Sequence, residues 1–239
     1  MLVSTTDSLR SAAAFMTGAE TKFPIGVYVG ISSMDHQKLL EMRQAALSPF
    51  TATGGALSVA AGRISFAHSL TGAAIAVDTA CSSSLVAVQV AIAAPRDVPN
   101  PQGAAIVAGV NLLQVPETTM MFQRAGMINP DGRCKTLDAA ADGYVRGEAC
   151  GSVMLLDLDA VFTYGAGAGA GAGAGTGGGA YGSAGGGLVF PAEVIGAFVN
   201  QDGRSSTLTA PNGPAQQTAM RGAIATAAGA NGGHIRRVR

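Results

Sequence analysis

The stretch that most constrains this chain runs from Ala73 to Ala94. Ala73-Ala74-Ile75-Ala76-Val77 is apolar and strand-like, and it ends abruptly at Asp78-Thr79-Ala80-Cys81-Ser82-Ser83-Ser84. The next ten residues, Leu85 to Ala94, are apolar except for Gln89 and are stopped by Pro95. This pattern predicts a buried strand, a sharp turn and a buried helix, with Cys81 at the first helical turn. Unpaired N–H groups and the positive dipole end of a helix stabilise an anion there, so a cysteine in that place is set to act as a nucleophile. A helix end contributes only about 0.3–1 kcal/mol, or ~2 when partly buried. It assists a thiolate without generating one, so proton transfer and a second oxyanion donor must come from elsewhere. The plainer reading of Cys81 is a small buried structural residue.

The flanking pattern alternates strands and helices. Strand Gly26–Ile31 precedes helical stretches near Met34–Leu47 and Gly55–Phe66. Beyond the cysteine lie strand Gly103–Asn111, helix Pro116–Arg124 and strand Gly151–Leu158. The strands show no apolar/polar alternation, which predicts a sheet covered on both faces in a layered α/β fold. A strand is expected at Glu193–Asn200. A helix is expected from Pro214 to about Ala228, because proline suits a first helical turn and Gly229 a helix end.

Two further segments flank the cysteine. Upstream is Thr53-Gly54-Gly55-Ala56-Leu57-Ser58-Val59-Ala60-Ala61-Gly62-Arg63-Ile64-Ser65-Phe66. Downstream is Gly132-Arg133-Cys134-Lys135-Thr136-Leu137-Asp138, running on through Ala141-Asp142-Gly143-Tyr144-Val145-Arg146-Gly147-Glu148. Later come Val199-Asn200-Gln201-Asp202-Gly203-Arg204-Ser205 and Thr209-Ala210-Pro211-Asn212-Gly213-Pro214-Ala215-Gln216. Together with Val77–Leu85, these segments resemble, in order, those of the β-ketoacyl synthases, the condensing domains of polyketide and fatty acid synthases.

That resemblance implies a thiolase-like layered α-β-α-β-α fold, incomplete here, with the N-terminal half and the start of the C-terminal half. It implies an acyltransferase of the 3-oxoacyl-[acyl-carrier-protein] synthase type. In such enzymes a cysteine-bound acyl group undergoes decarboxylative Claisen condensation with a malonyl-type thioester. Only Cys81 carries over as a catalytic residue, nucleophile by its thiol and oxyanion donor by its own N–H. No cofactor is expected on the chain itself; phosphopantetheine would arrive on an acyl carrier protein, or the donor would be a CoA thioester. A homodimer is implied, with the strand before Cys81 near the two-fold contact. The family's two histidine segments would follow the TAPNGPAQ run, and the chain stops at Arg239. His36, His68 and His234 belong to neither segment and read as surface or satisfied core histidines. The rival expectation is therefore a catalytically incomplete remnant, a dimerising or scaffold piece or an artefact of gene prediction. A third reading, a cysteine hydrolase, would require His68 within hydrogen-bond reach of Cys81.

Composition narrows the partners. Lys and Arg total 15, as do Asp and Glu, so nothing in the charge balance suggests nucleic acid or an anionic membrane. No apolar run reaches the ~18 residues of a membrane span. Three cysteines without a CxxC pair fit free thiols in a reducing compartment rather than a disulfide framework or a zinc site. A cytoplasmic setting is expected, with a plastid as the alternative. Cys134 and Cys150 read as structural, and Asp78, Arg63 and Glu148 as pairing or capping charges. Gly55 and Ala149 depart from the family's usual asparagine and glycine, and Ala149 would be strained if its backbone required a positive φ.

The expected organisation is a leader over 1–22, a nucleophile-bearing block over 23–162, a Gly/Ala-rich insertion over 163–187 and a second block over 188–239. The tract Gly165–Gly187 holds 13 of the chain's 34 glycines. Such a composition cannot bury enough side chain to offset the ordering of its backbone, so a flexible insertion is expected. Gly173, Gly175 and Gly178 match GxGxxG formally, but alternating Gly/Ala produces that spacing by chance and no strand leads into it.

Overall fold

A computed structural model describes residues 24–94, 101–157 and 193–229. The leader, the Gly/Ala insertion and His234 lie outside the described residues. The elements in chain order are β1 (Ile25–Gly30), α1 (Asp35–Met42), α2 (Thr51–Gly55), α3 (Ser58–Ala67) and β2 (Ala74–Val77). A 3-10 turn (Ala80–Ser82) leads into α4 (Ser83–Ile92). Then come β3 (Ala104–Asn111), α5 (Pro116–Arg124), β4 (Ala149–Leu156) and α6 (Gly213–Gly229).

Four strands form one sheet in the order β2-β1-β3-β4. β1 pairs in parallel with β2 (Val27 opposite Ala74) and with β3 (Ile25 opposite Ala104). β4 runs antiparallel to β3, with Asn111 opposite Ala149. Parallel neighbours need crossovers; α1–α3 carry the chain from β1 to β2, and α4 carries it from β2 to β3. Consecutive residues of β1 point to opposite faces. Val27 and Val29 pack with Ala61 and Ile64 of α3 on one side. Tyr28 packs with Ala87 and Ala91 of α4 on the other. The sheet is thus sandwiched between helices, and every residue of β1 is buried. That accounts for its unalternating apolar sequence. These three layers are the part of the expected five-layer architecture that residues 24–157 build.

Several boundaries differ from expectation. The helix expected over Met34–Leu47 stops at Met42. Gln44 adopts φ 48°, and the Ala45 N–H returns to the Leu40 carbonyl at 3.0 Å. This is a Schellman close with a non-glycine residue in the left-handed position. α3 ends the same way, with Ser69 at φ 53° and Leu70 N–H on the Ser65 carbonyl. β4 starts earlier than expected, at Ala149, which has no positive φ. The replacement of the family's glycine there is therefore free of backbone strain.

The strand expected at Glu193–Asn200 does not form: only Val194 makes a bridge, and Ile195–Asn200 have no ladder. A strand needs an edge to pair with, and this segment lies against α6 instead. A Cβ on Gly196 would stand 2.3 Å from the Ala223 carbonyl oxygen, and one on Gly222 would stand 2.5 Å from the Phe198 ring. The two glycines permit that close approach. α6 opens on Asn212, whose Oδ1 accepts the Ala215 N–H at 3.2 Å, with Pro214 in the first turn as expected.

Candidate functional site

The cysteine elbow is held by short-range hydrogen bonds. Ala80 takes a left-handed φ of 55°, which costs an L-residue about 1 kcal/mol or more and so requires support. The Ala80 N–H donates to Asp78 Oδ1 at 3.1 Å. Ser83 Oγ accepts the Thr79 N–H at 2.9 Å and donates to the Ala80 carbonyl at 2.6 Å. Ser82 Oγ donates to the Thr79 carbonyl at 2.9 Å. A hydroxyl has one proton, so the 2.8 Å contact between Ser82 and Thr79 Oγ1 runs from threonine to serine. Four polar side chains thus close the turn, although only Ser83 is buried.

Beneath the turn, α4 rests on the sheet through Ser83, Ala87 and Ala91, small residues at i, i+4 and i+8. The seat itself is glycine. A Cβ on Gly30 would lie 2.5 Å from the Ser84 nitrogen and 2.6 Å from the Ser83 carbonyl carbon. One on Gly109 would lie 3.0 Å from Ser84 Cβ. The helix start therefore sits directly above the carboxyl ends of β1 and β3.

Two expectations about this unit are corrected. Cys81 belongs to the 3-10 turn that runs into α4, not to the first α-helical turn. The unit is also less buried than its apolar sequence suggests. β2 is a sheet edge with Ala74 and Ile75 exposed, and Leu85 on α4 leaves 75% of its surface open. Edge strands and outer helix faces are covered only by what packs on them, and hydropathy cannot report that. Cys81 is exposed. Among the described residues no group hydrogen-bonds its thiol, and no backbone carbonyl takes its N–H.

The other candidates separate cleanly. No hydrogen bond joins His68 to Cys81; His68 Nε2, at the end of α3, is buried with no hydrogen-bond partner among the described residues, so His68 is not the surface or satisfied histidine expected. His36 is exposed on α1. Asp78 caps the elbow, Arg63 donates to the Thr53 carbonyl at 3.1 Å, and Glu148 accepts the Leu113 N–H at 2.7 Å. All three charges serve the backbone, as expected. Cys134 accepts the Val145 N–H at 3.3 Å on its sulfur. Sequence reasoning missed Asp35, a buried carboxylate on α1. It accepts from Thr118 Oγ1 at 2.8 Å and from the Gln114 N–H at 3.2 Å, tying α1 to the start of α5. An aspartate close behind an apolar strand was the available signal.

Between α5 and β4, the segment Met127–Gly147 is pinned by Asn129, which is buried. Its amide donates to Asp142, and its carbonyl accepts the Asp131 N–H at 2.7 Å. Lys135 bridges Asp131 at 2.8 Å and Asp142 at 3.0 Å. Hydrogen bonding to Asp131, then to Asp142, holds the Lys135 ammonium above the ordinary lysine value. The bond from Lys135 holds Asp142 below the ordinary carboxylate value. A lowered carboxylate contributes stability above its unfolded pKa and loses it as pH falls through the folded one. A raised lysine contributes below its unfolded pKa and loses it as pH rises through the folded one. Protection of the Asn129 and Tyr144 amides from hydrogen exchange should therefore be flat across neutral pH and fall at both extremes, modestly because the pair is exposed. Asp142→Asn should remove the acid limb; the same limb in that variant would refute the assignment.

No helix among the described residues is long and apolar enough to cross a membrane. Comparison with known proteins agrees with the motifs. Residues 1–160 match the family model for the β-ketoacyl synthase N-terminal domain, and residues 191–238 match that for the C-terminal domain. The chain is 39% identical over 200 residues to a phenolphthiocerol/phthiocerol polyketide synthase of Mycobacterium tuberculosis, covering 83% of this chain and 8% of that protein. It is 36% identical over 203 residues to a pikromycin polyketide synthase component of Streptomyces venezuelae, covering 85% of this chain and 5% of that protein. Among solved structures, the ketosynthase from module 6 of the bacillaene synthase of Bacillus subtilis 168 superposes with a TM-score of 0.65 at 31% identity. That match covers 87% of this chain and 31% of that one. An oxazolomycin ketosynthase domain of Streptomyces albus JA3453 superposes at 0.67 and 26% identity, covering 90% of this chain and 32% of that one. The chain thus spans about a third of the ketosynthase chains it matches, with the thiolase-like fold they share. With the cysteine turn, the glycine seat and the flanking segments all in one molecule, the chain belongs to the β-ketoacyl synthase family.

Proposed function

We propose that this chain carries the acyl-accepting site of a ketosynthase that works in polyketide synthesis, with Cys81 as the nucleophile. The observation that carries this reading is the exposed thiol on a left-handed turn above Gly30 and Gly109, beside its own N–H, which no backbone carbonyl among the described residues takes. The donor is an acyl thioester on the phosphopantetheine arm of a carrier protein, or on CoA. A solvent base takes the thiol proton, and Sγ attacks the thioester carbonyl to form a new carbon–sulfur bond. The resulting oxyanion is met by the Cys81 N–H. Collapse breaks the donor's carbonyl–sulfur bond, and the departing thiolate takes up a proton from solvent. In the following condensation a malonyl-type extender loses CO2, leaving the bond's electrons on its α-carbon. That carbanion attacks the acyl carbonyl and expels the Cys81 thiolate.

Among the described residues no histidine hydrogen-bonds Cys81, which favours a second, narrower reading: the chain by itself self-acylates without condensing. β2 supports a homodimer, since it ends the sheet with half its residues exposed, and an unpaired strand edge invites a second copy. A cytoplasmic location is part of the same reading. The test is intact mass after incubation with a short acyl thioester. The chain should gain one acyl mass, mapped to the Cys81 peptide, and Cys81→Ala should gain none. Equal labelling of the variant would sink the assignment.

A further inference from the structure

We infer that Ser83 and Asp78 are positioning residues that aim the Cys81 N–H at the oxyanion, an inference that rests on Cys81 being the acyl acceptor. The turn contains one backbone angle that its residue does not favour, φ 55° at Ala80. Ala80 immediately precedes the nucleophile, so its conformation sets the direction of the next peptide N–H. Three hydrogen bonds hold it. Asp78 Oδ1 takes the Ala80 N–H at 3.1 Å. Ser83 Oγ spans the turn, accepting from Thr79 N–H at 2.9 Å and donating to the Ala80 carbonyl at 2.6 Å.

Ser83 is 4% exposed and is fixed from below, because its carbonyl carbon lies above Gly30 with no room for a Cβ between them. The sheet thus holds Ser83, Ser83 holds the Asp78–Thr79 and Ala80–Cys81 peptides, and among the described residues no backbone carbonyl takes the Cys81 N–H. Here Asp78 Oδ1 takes the Ala80 N–H at 3.1 Å and the Thr79 carbonyl takes the Ser82 N–H at 3.4 Å, leaving the Cys81 N–H between them open.

The clamp predicts a split between two reactions of the same sulfur. Thioester acylation passes through an oxyanion and needs the aimed N–H. Alkylation by iodoacetamide is a direct displacement at carbon and does not. In the full 239-residue chain, with modification at Cys81 followed by peptide mapping, Ser83→Ala should slow acylation about 100-fold. Its alkylation rate should stay within about twofold of wild type, since the thiol is exposed in either case. Acylation unchanged, or both rates falling together, would overturn the inference. Should Ser83→Ala fail to fold, the exposed Asp78 decides. Asp78→Ala should lower acylation selectively, and Asp78→Asn, which keeps an acceptor for the Ala80 N–H, should restore it; equal rates in the two variants would overturn it. A wild-type chain that alkylates at Cys81 but never acylates would remove the acyl-acceptor reading itself. Acylation that persists with no Ser83 dependence would remove only the clamp.

Discussion

Gly30→Ala should lower both the stability of the chain and the acylation of Cys81. The added Cβ would meet the Ser84 nitrogen at 2.5 Å and Ser84 Cα at 2.6 Å. Those are backbone atoms at a helix start, with no flexible end to swing aside. β1 cannot yield either, since it is hydrogen-bonded along both edges, to β2 and to β3. The remaining relaxation is for α4 to rise off the sheet. Overpacking of this kind costs about 1–3 kcal/mol, and a displacement near 1 Å at a reacting group costs about 100-fold in rate. Gly109→Ala, with its nearest contact at 3.0 Å to a side-chain atom, should be milder in both respects. Thermal midpoints and acyl labelling of the two variants decide the matter. Wild-type labelling in Gly30→Ala would show that the glycine seat does not place the cysteine.

Tyr28→Ala should be the most destabilising single change. Tyr28 is 2% exposed and fills the layer between the sheet and the small-residue face of α4, against Ala87, Ala91, Ala105 and Val107. These neighbours are short or β-branched side chains that cannot extend into the space it would leave, so the cavity would persist. Truncating a buried aromatic costs about 3–5 kcal/mol. Its hydroxyl donates to Gln102 Oε1 at 3.1 Å, so Tyr28→Phe should cost only about 1 kcal/mol. Urea denaturation separates these terms. An Ala variant no weaker than the Phe variant would mean that Tyr28 is not the keystone of that layer.

Much of the site was legible because it is local. An apolar strand, a polar break and an apolar helix placed Cys81 at an elbow, since each step depends on near neighbours in the chain. The capping roles of Asp78, Arg63 and Glu148 were legible for the same reason: a charge within an apolar segment must find a partner, and here each found backbone. Helix ends were less so. Gln44 and Ser69 close α1 and α3 in a conformation usually reserved for glycine, and no residue type announces it. The segment at Glu193–Asn200 has the composition of a strand, yet Gly196 and Gly222 let it lie on α6. Pairing depends on an available edge, which lies outside the segment.

By itself, then, the sequence determined the order of the four strands, the family, and the one residue proposed to accept an acyl group. These are properties of short stretches whose hydropathy, turn residues and motifs act within a few positions of one another. Only the tertiary structure decided that β2 is an exposed edge while β1 is buried throughout. It also decided that Gly30 and Gly109 form the floor under the Cys81 turn, and that Ser83 is the buried side chain bonded across the left-handed Ala80. The floor joins residues far apart in the chain, such as Gly30 and Ser83. It arises from close packing, in which the space left by one backbone determines where the next can stand.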